Sequence, residues 1–182
     1  MTRKKLPIGI QTFREIREEG SYYVDKTGQA VDLVQSGKAF FLSRPRRFGK
    51  SLFLDTLKEL FEGNRELFAG LEAEDRWDWS VRYPVIRISF GGGQAFSAED
   101  LRNWMHRQME ESETDRGLVA RALDTRGRLH QLIQGLHRQS GQRVVVLVDE
   151  YDKPILDHLE QPELARQMRD VLRDFYGVLK DA

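Results

Sequence analysis

The sequence predicts an α/β fold built on a parallel sheet, and three observations carry that expectation. The stretch "RVVVLVDEYDKP" holds five consecutive apolar residues, Val144 to Val148, followed by two acids. A strand that is apolar at every position is buried on both faces, which is the condition of a strand in a parallel sheet. Two more short apolar runs, "AFFLS" (39–43) and "YPVIRISF" (83–90), lie upstream, and segments with apolar residues at helical spacing separate the three. The resulting order is strand, helix, strand, helices, strand, helices. Three strands are few for such a sheet.

Each element has a local reason. Phe13 to Glu19 carries a short helical pattern, and Tyr22 to Val24 suits a brief extended segment. Ala30, Val31, Leu33 and Val34 fit a short helix stopped by Gly37. "AFFLS" has the length and aromatic content of a buried strand. From Ser51, the residues Leu52, Phe53, Leu54, Leu57, Leu60 and Phe61 repeat at helical spacing until Gly63. "NRELFAGLEAEDRWDWS" reads as a short helix and a loop. In 83–90, Val85, Ile86, Ile88 and Phe90 make the second strand, and "GGGQAFS" a loop after it. Ser97 with Asp100 three residues later forms a loose capping box for a helix reaching about Glu111. Residues 117–139 look helical, interrupted at Gly127, and 155–160 and 163–179 follow as helices.

Composition limits the functional classes. The 182 residues are 40% hydrophobic and 32% charged, the balance of a soluble domain rather than a disordered chain. Basic and acidic side chains number 29 each, so net charge gives no attraction to nucleic acid or anionic lipid. Absence of cysteine rules out disulfides and thiolate metal sites and fits a cytoplasmic location. No apolar stretch has the length of a signal peptide or a membrane span. The four histidines, His106, His130, His137 and His158, form no metal-binding pair spacing.

The turn "RPRRFGKS" after the first apolar run ends in Gly-Lys-Ser at the start of a helical pattern. A phosphate-binding loop wraps backbone N–H groups around phosphate oxygens at a helix N-terminus. In that reading Gly49 lets the backbone approach closely, Lys50 reaches the β- and γ-phosphates, and the Ser51 hydroxyl binds Mg²⁺. Arg44 stands where the motif G-x-x-x-x-G-K-[ST] asks for its first glycine, and Pro45 offers another way to fix the turn. Arg46 and Arg47 either contact phosphate or nucleic acid, or form a solvated basic loop. The second constellation is Asp149-Glu150 at the end of the apolar strand. Open α/β sheets bind ligands at the carboxyl ends of their strands. There Asp149 would hold Mg²⁺ and Glu150 would act as general base toward the attacking water. The alternative is a strand leaving to a solvated polar turn. Tyr151, Asp152 and Lys153 read as positioning, substrate-contact or plain turn residues, with the turn role favoured for Lys153.

Taken in order, "YYVDKT", "FLSRPRRFGKS", "YPVI" and "VLVDEYDKPI" resemble the AAA-ATPase-like proteins of bacteria and archaea. The resemblance runs from Pro7 to about Ala182. It implies a P-loop NTPase-type sheet, with residues 1–38 an N-terminal extension and 39–182 the ATPase core. A substituted first glycine is usual in that family. Carried over, Arg46, Arg47, Phe48, Gly49, Lys50 and Ser51 form the phosphate loop, Lys50 and Glu150 act in catalysis, and Ser51 and Asp149 bind the metal. ATP and Mg²⁺ are the implied ligands. Tyr23, Asp25 and Lys26 match the family's N-terminal motif, for which local structure is the safer reading.

The family places the strand after the acidic pair between the strand before the phosphate loop and the strand that carries the acids, and the sequence reaches "DFYGVLKDA" without one. The expectation is therefore the N-terminal part of a longer, possibly oligomeric ATPase, partnered by its own C-terminal domain. Members often carry a nuclease-like domain there, whose acid two residues before a lysine is missing at all eight lysines here. The leading functional expectation is Mg²⁺-dependent ATP hydrolysis that drives a conformational change. The alternatives are a non-hydrolysing nucleotide switch and a nucleic-acid-binding regulator. For the arginines of 116–138 a solvated helix face is favoured over a nucleic-acid face, and Trp77 and Trp79 default to packing.

Overall fold

The computed structural model describes residues 4–45, 47–119, 121–122 and 124–181. The chain divides after Tyr83 into two compact units. The amino-terminal unit is helical: α1 (Phe13–Glu18), α2 (Thr27–Ser36) and α3 (Lys50–Phe61), then 3₁₀ turns at Arg65–Phe68 and Glu72–Glu74. Its core holds Phe13, Ile16, Ala30, Val31, Leu57, Leu60 and Phe68. The Phe13 ring lies 4.9 Å from Phe68 and 5.0 Å from Tyr23, and Phe68 lies 5.1 Å from Trp79. Trp77 packs edge-on to Phe61 at 5.5 Å, so both tryptophans take the packing role.

Two buried acids tie these helices together. Asp55 of α3 accepts a 2.7 Å hydrogen bond from the Phe13 N–H, an orphan donor at the start of α1. Glu59 accepts from Arg14 and Asn64 and pairs with Lys58. Asp25 does the same for α2. Its carboxylate accepts from the Thr27 N–H and hydroxyl, and from the Glu72 N–H at 2.8 Å. The Thr27 hydroxyl in turn accepts from the Ala73 N–H. The family-like string around Asp25 is thus a structural clamp between α2 and the 72–74 turn.

In the carboxy-terminal unit, β1 (Val85–Ser89) and β2 (Val145–Asp149) pair in parallel, Val85 opposite Val145 and Ser89 opposite Asp149. Helices α4 (Ala98–Thr114), α5 (Thr125–Ser140), the short α6 (Lys153–Leu156) and α7 (Pro162–Asp181) complete it. Ile86 and Ile88 join Leu101, Met105, Met109, Leu129, Leu132, Leu136, Met168, Leu172 and Phe175 in one apolar core. The N-cap at Ser97 is present, its hydroxyl accepting from the Asp100 N–H at 3.0 Å, while the Asp100 carboxylate reaches back one residue further than in a capping box, to the Phe96 N–H. Glu113 and Arg128 join α4 to α5 through two parallel bonds of 3.1 and 2.7 Å, almost out of solvent. Residues 117–119 and 121–122 are not helical, contrary to the predicted pattern, and α5 begins only at Thr125. Asp124 caps it by accepting from the Gly127 N–H, and a Cβ at 127 would come within 2.8 Å of that carboxylate. The glycine read as an interruption belongs to the cap.

The ladder's phase is set by Val145 N–H donating to Pro84 O (2.9 Å) and Phe90 N–H to Asp149 O (3.1 Å). The odd-numbered residues of β1 and the even-numbered ones of β2 therefore face outward. Two side chains cover the outer edge of β1: Gln108 of α4 accepts from the Ser89 N–H at 2.7 Å, and Arg116, in the turn after α4, donates to the Val85 carbonyl at 3.0 Å. No hydrogen bond from a described residue reaches the outward backbone groups of Val146 and Val148.

The parallel α/β character is as expected, but the first predicted strand is not a strand. Residues 39–45 have no regular structure, and Phe40, Phe41 and Leu42 are 48%, 67% and 39% exposed. A strand exists only by pairing its backbone with a neighbour, and the described sheet has two strands, neither of them this segment.

Two outcomes follow. Arg128→Met strands the buried Glu113 carboxylate and should destabilise the fold by about 3–5 kcal/mol in a thermal melt, with Glu113→Gln in the same chain recovering most of it. Burial works to raise the pKa of Asp25, but the Glu72 and Thr27 N–H groups and the Thr27 hydroxyl hold it below the ordinary carboxylate value. The clamp's contribution is therefore full above about pH 4 and is lost as pH falls through the lowered value. Asp25→Ala should lose about 1 kcal/mol at pH 7 in denaturant titration, the gap to wild type closing in acid.

Candidate functional site

The turn before α3 is built from two left-handed residues. Arg47 has φ 66° and Gly49, which precedes the first residue of the helix, φ 72°. A glycine takes that conformation without strain, whereas an L-residue with a Cβ loses about 1 kcal/mol there. The Phe53 N–H makes the first intrahelical bond, to Gly49 O at 2.9 Å. No side chain caps α3, and no acid stands in its first turn. Its leading N–H groups and the positive end of its dipole are therefore available to an anion. Lys50 folds back over the same turn, its Nζ donating to Arg44 O at 2.7 Å and Pro45 O at 3.1 Å. An ammonium has three donors, so one is left over. The path at Arg44 closes through those carbonyl contacts. Phe48 is largely exposed, and Ser51 is half-buried in the first turn. Arg46 lies outside the described residues.

The acidic pair sits at the carboxyl end of β2. Asp149 is 8% exposed, opposite Ser89 across the ladder, and its Oδ1 accepts from the Glu150 N–H at 3.0 Å. Glu150 has φ 51°, a left-handed conformation that a glutamate holds only against strain of about 1–2 kcal/mol. Its carbonyl accepts from the Lys153 N–H at 3.0 Å, which turns the chain sharply from β2 into α6. The Glu150 carboxylate lies against Gly91 of the loop that follows β1.

Around this strand end the structure assembles groups that sequence reasoning left unassigned. Lys153 Nζ donates to Gly93 O at 2.7 Å and pairs with Asp157. His158, 2% exposed, bonds Ala95 O through Nε2 at 2.6 Å. Tyr176 and Tyr151 are both pushed up, by burial first and then by the Asp152 carboxylate. Lys153 therefore closes the turn with its backbone and holds the loop with its side chain. The only signal for it in the sequence is the glycine triplet, which reads equally well as an ordinary loop.

Arg47, Phe48, Gly49, Lys50 and Ser51 thus share one turn, and Asp149 and Glu150 share another. Each turn ends or begins a regular element. Among the described residues, no group of three or more His, Asp or Glu side chains converges as a metal cage. No helix among them is long and apolar enough to cross a membrane.

No solved structure matches the chain. An uncharacterized protein from the vnfD 5′ region of Azotobacter chroococcum mcd 1 is 58% identical over 183 residues. That alignment covers 100% of this chain but only 36% of the relative, so the chain spans about a third of the longer protein's length. The family described as predicted AAA-ATPase matches residues 7–182, which takes in both the glycine-lysine-serine turn and the acidic strand end. The chain belongs to this AAA-ATPase-like family.

Proposed function

We propose that the chain is the nucleotide-binding part of an ATPase with a P-loop NTPase-type fold, hydrolysing ATP to drive a conformational change in a larger protein. The observation that carries this reading is the uncapped start of α3 with Lys50 folded over it. Backbone donors, a helix dipole and an ammonium at one turn are the parts a triphosphate needs. In this reading residues 39–182 are the ATPase core and 1–38 its extension. Arg46, Arg47 and Phe48 complete the phosphate loop.

The donor chemistry suits Mg²⁺, which binds one or two protein oxygens and fills its other positions with water and phosphate. Ser51 and Asp149 are the proposed protein donors, and the bound ion would neutralise phosphate charge. Lys50 stabilises charge on the β- and γ-phosphates. Glu150, exposed at the strand end, accepts the proton of the attacking water. Its left-handed backbone is strain of the kind that collects at functional sites and supports a role beyond a polar turn. The outer edge of β2, which no hydrogen bond from a described residue reaches, against the bonded edge of β1, supports a sheet that continues past β2 with another strand. The relative's extra length supports a larger protein as the thing moved.

Lys50→Ala should weaken binding of a fluorescent ATP analogue by roughly ten- to hundredfold, as loss of charge-assisted bonds does. Glu150→Gln should bind the analogue like wild type while kcat falls by roughly 10²–10³. Full turnover in Glu150→Gln would remove the base from the scheme. Absence of turnover in wild type, with binding intact, would leave a non-hydrolysing switch.

A further inference from the structure

Gly91, Gly92 and Gly93 follow β1 directly, and none of the three has a left-handed φ. Backbone conformation does not explain them, so the reason lies in what comes close. A Cβ at Gly92 or Gly93 would meet the indole of Trp104 at ordinary contact distance, 3.4 and 3.6 Å. Gly91 is different. The three atoms nearest a Cβ there all belong to the Glu150 carboxyl group: Oε1 at 3.0 Å, Cδ at 3.1 Å and Oε2 at 3.4 Å. The carboxylate rests on a bare Cα.

The loop that offers this surface is itself held. The Gly91 N–H donates to Ser89 Oγ at 3.3 Å. Lys153 Nζ donates to the Gly93 carbonyl, and His158 Nε2 bonds the Ala95 carbonyl. Both side chains come from the segment that follows Glu150. One strand end thus carries the carboxylate and also fastens the surface on which it lies.

We propose that Gly91 is a positioning residue for the Glu150 carboxylate, and that Lys153, through the Gly93 carbonyl, holds Gly91 in place. The proposal rests on Glu150 being the general base. It deepens that reading by saying what fixes the direction in which the base points. Geometry at a general base matters because small misplacements of a reacting group lower rates steeply. Any side chain at 91 forces the carboxylate aside, and the flexible end of Glu150 is what must yield.

The test is steady-state ATP hydrolysis and ATP-analogue binding on the full-length gene product, comparing wild type, Gly91→Ala, Gly91→Val, Lys153→Met and Glu150→Gln. Thermal melts accompany each to separate folding from positioning. Expected is a graded loss of kcat, roughly threefold for alanine and roughly ten- to hundredfold for valine, with analogue affinity within about twofold of wild type. Lys153→Met, which adds no bulk at the loop, should also lower kcat at unchanged affinity, and decides the matter if the valine variant does not fold. Glu150→Asp should cost less in the Gly91→Ala background than in wild type, because the shorter acid escapes the added methyl. Wild-type kcat in folded Gly91→Val and Lys153→Met, with Glu150→Gln inactive, overturns the positioning role alone. Wild-type turnover in Glu150→Gln overturns the base and the positioning role together. Additive losses in the Gly91 and Glu150 pair also overturn it, since a purely structural glycine would show that pattern.

Discussion

The parallel ladder between β1 and β2 is the interaction on which the carboxy-terminal unit depends. Two strands alone are marginal in water, because half of their backbone groups face outward. Among the described residues, the deficit is met on the β1 side. Gln108 of α4 and Arg116 of the turn that follows it reach the outer edge of β1, so the segment that covers the sheet also closes that edge. Ile86 and Ile88 then sink into the core shared by α4, α5 and α7. With β1 immobilised, β2 is held in register, and register decides where Asp149 and Glu150 emerge. A slip of one residue would exchange the buried Asp149 for an exposed position.

The amino-terminal unit solves a different problem. Its helices are short, and short helices are not stable by propensity. Carboxylates do the joining: Asp55 takes the first N–H of α1, and Asp25 binds the starts of α2 and of the 72–74 turn. Gly28 is part of the same arrangement, since a Cβ there would overlap the Glu72 carboxylate at 2.1–2.3 Å. The unit's aromatic cluster fills the space these polar joints leave.

Legibility in the sequence followed the range of the interactions. Periodicity located α3, α4 and α7 closely, because one amphipathic face is a local property. The acidic strand end was visible because an unbroken apolar run is rare outside a buried strand. "AFFLS" carries the same signal, yet Phe40, Phe41 and Leu42 stand exposed and the described sheet does not include them. Strand character depends on a partner, and a partner is not a property of the segment. The contacts of Lys153 with Gly93 and of His158 with Ala95 span about sixty residues, so no pattern along the chain announces them. At the glycine-lysine-serine turn, the order of residues was readable but the two left-handed φ angles were not separable. Gly49 declares its own, whereas Arg47 adopts one that arginine seldom does.

The bonds from Lys50 to the carbonyls of Arg44 and Pro45 make the turn its own occupant. In the proposed nucleotide complex, an incoming phosphate would meet an ammonium with one donor to spare, and could gain its other donors only in exchange for the two carbonyls. Binding energy at this turn is then a difference between two sets of partners rather than a sum of new ones. A nucleotide held here would thus be held by exchange, and the turn would keep its own partners whenever the ligand leaves.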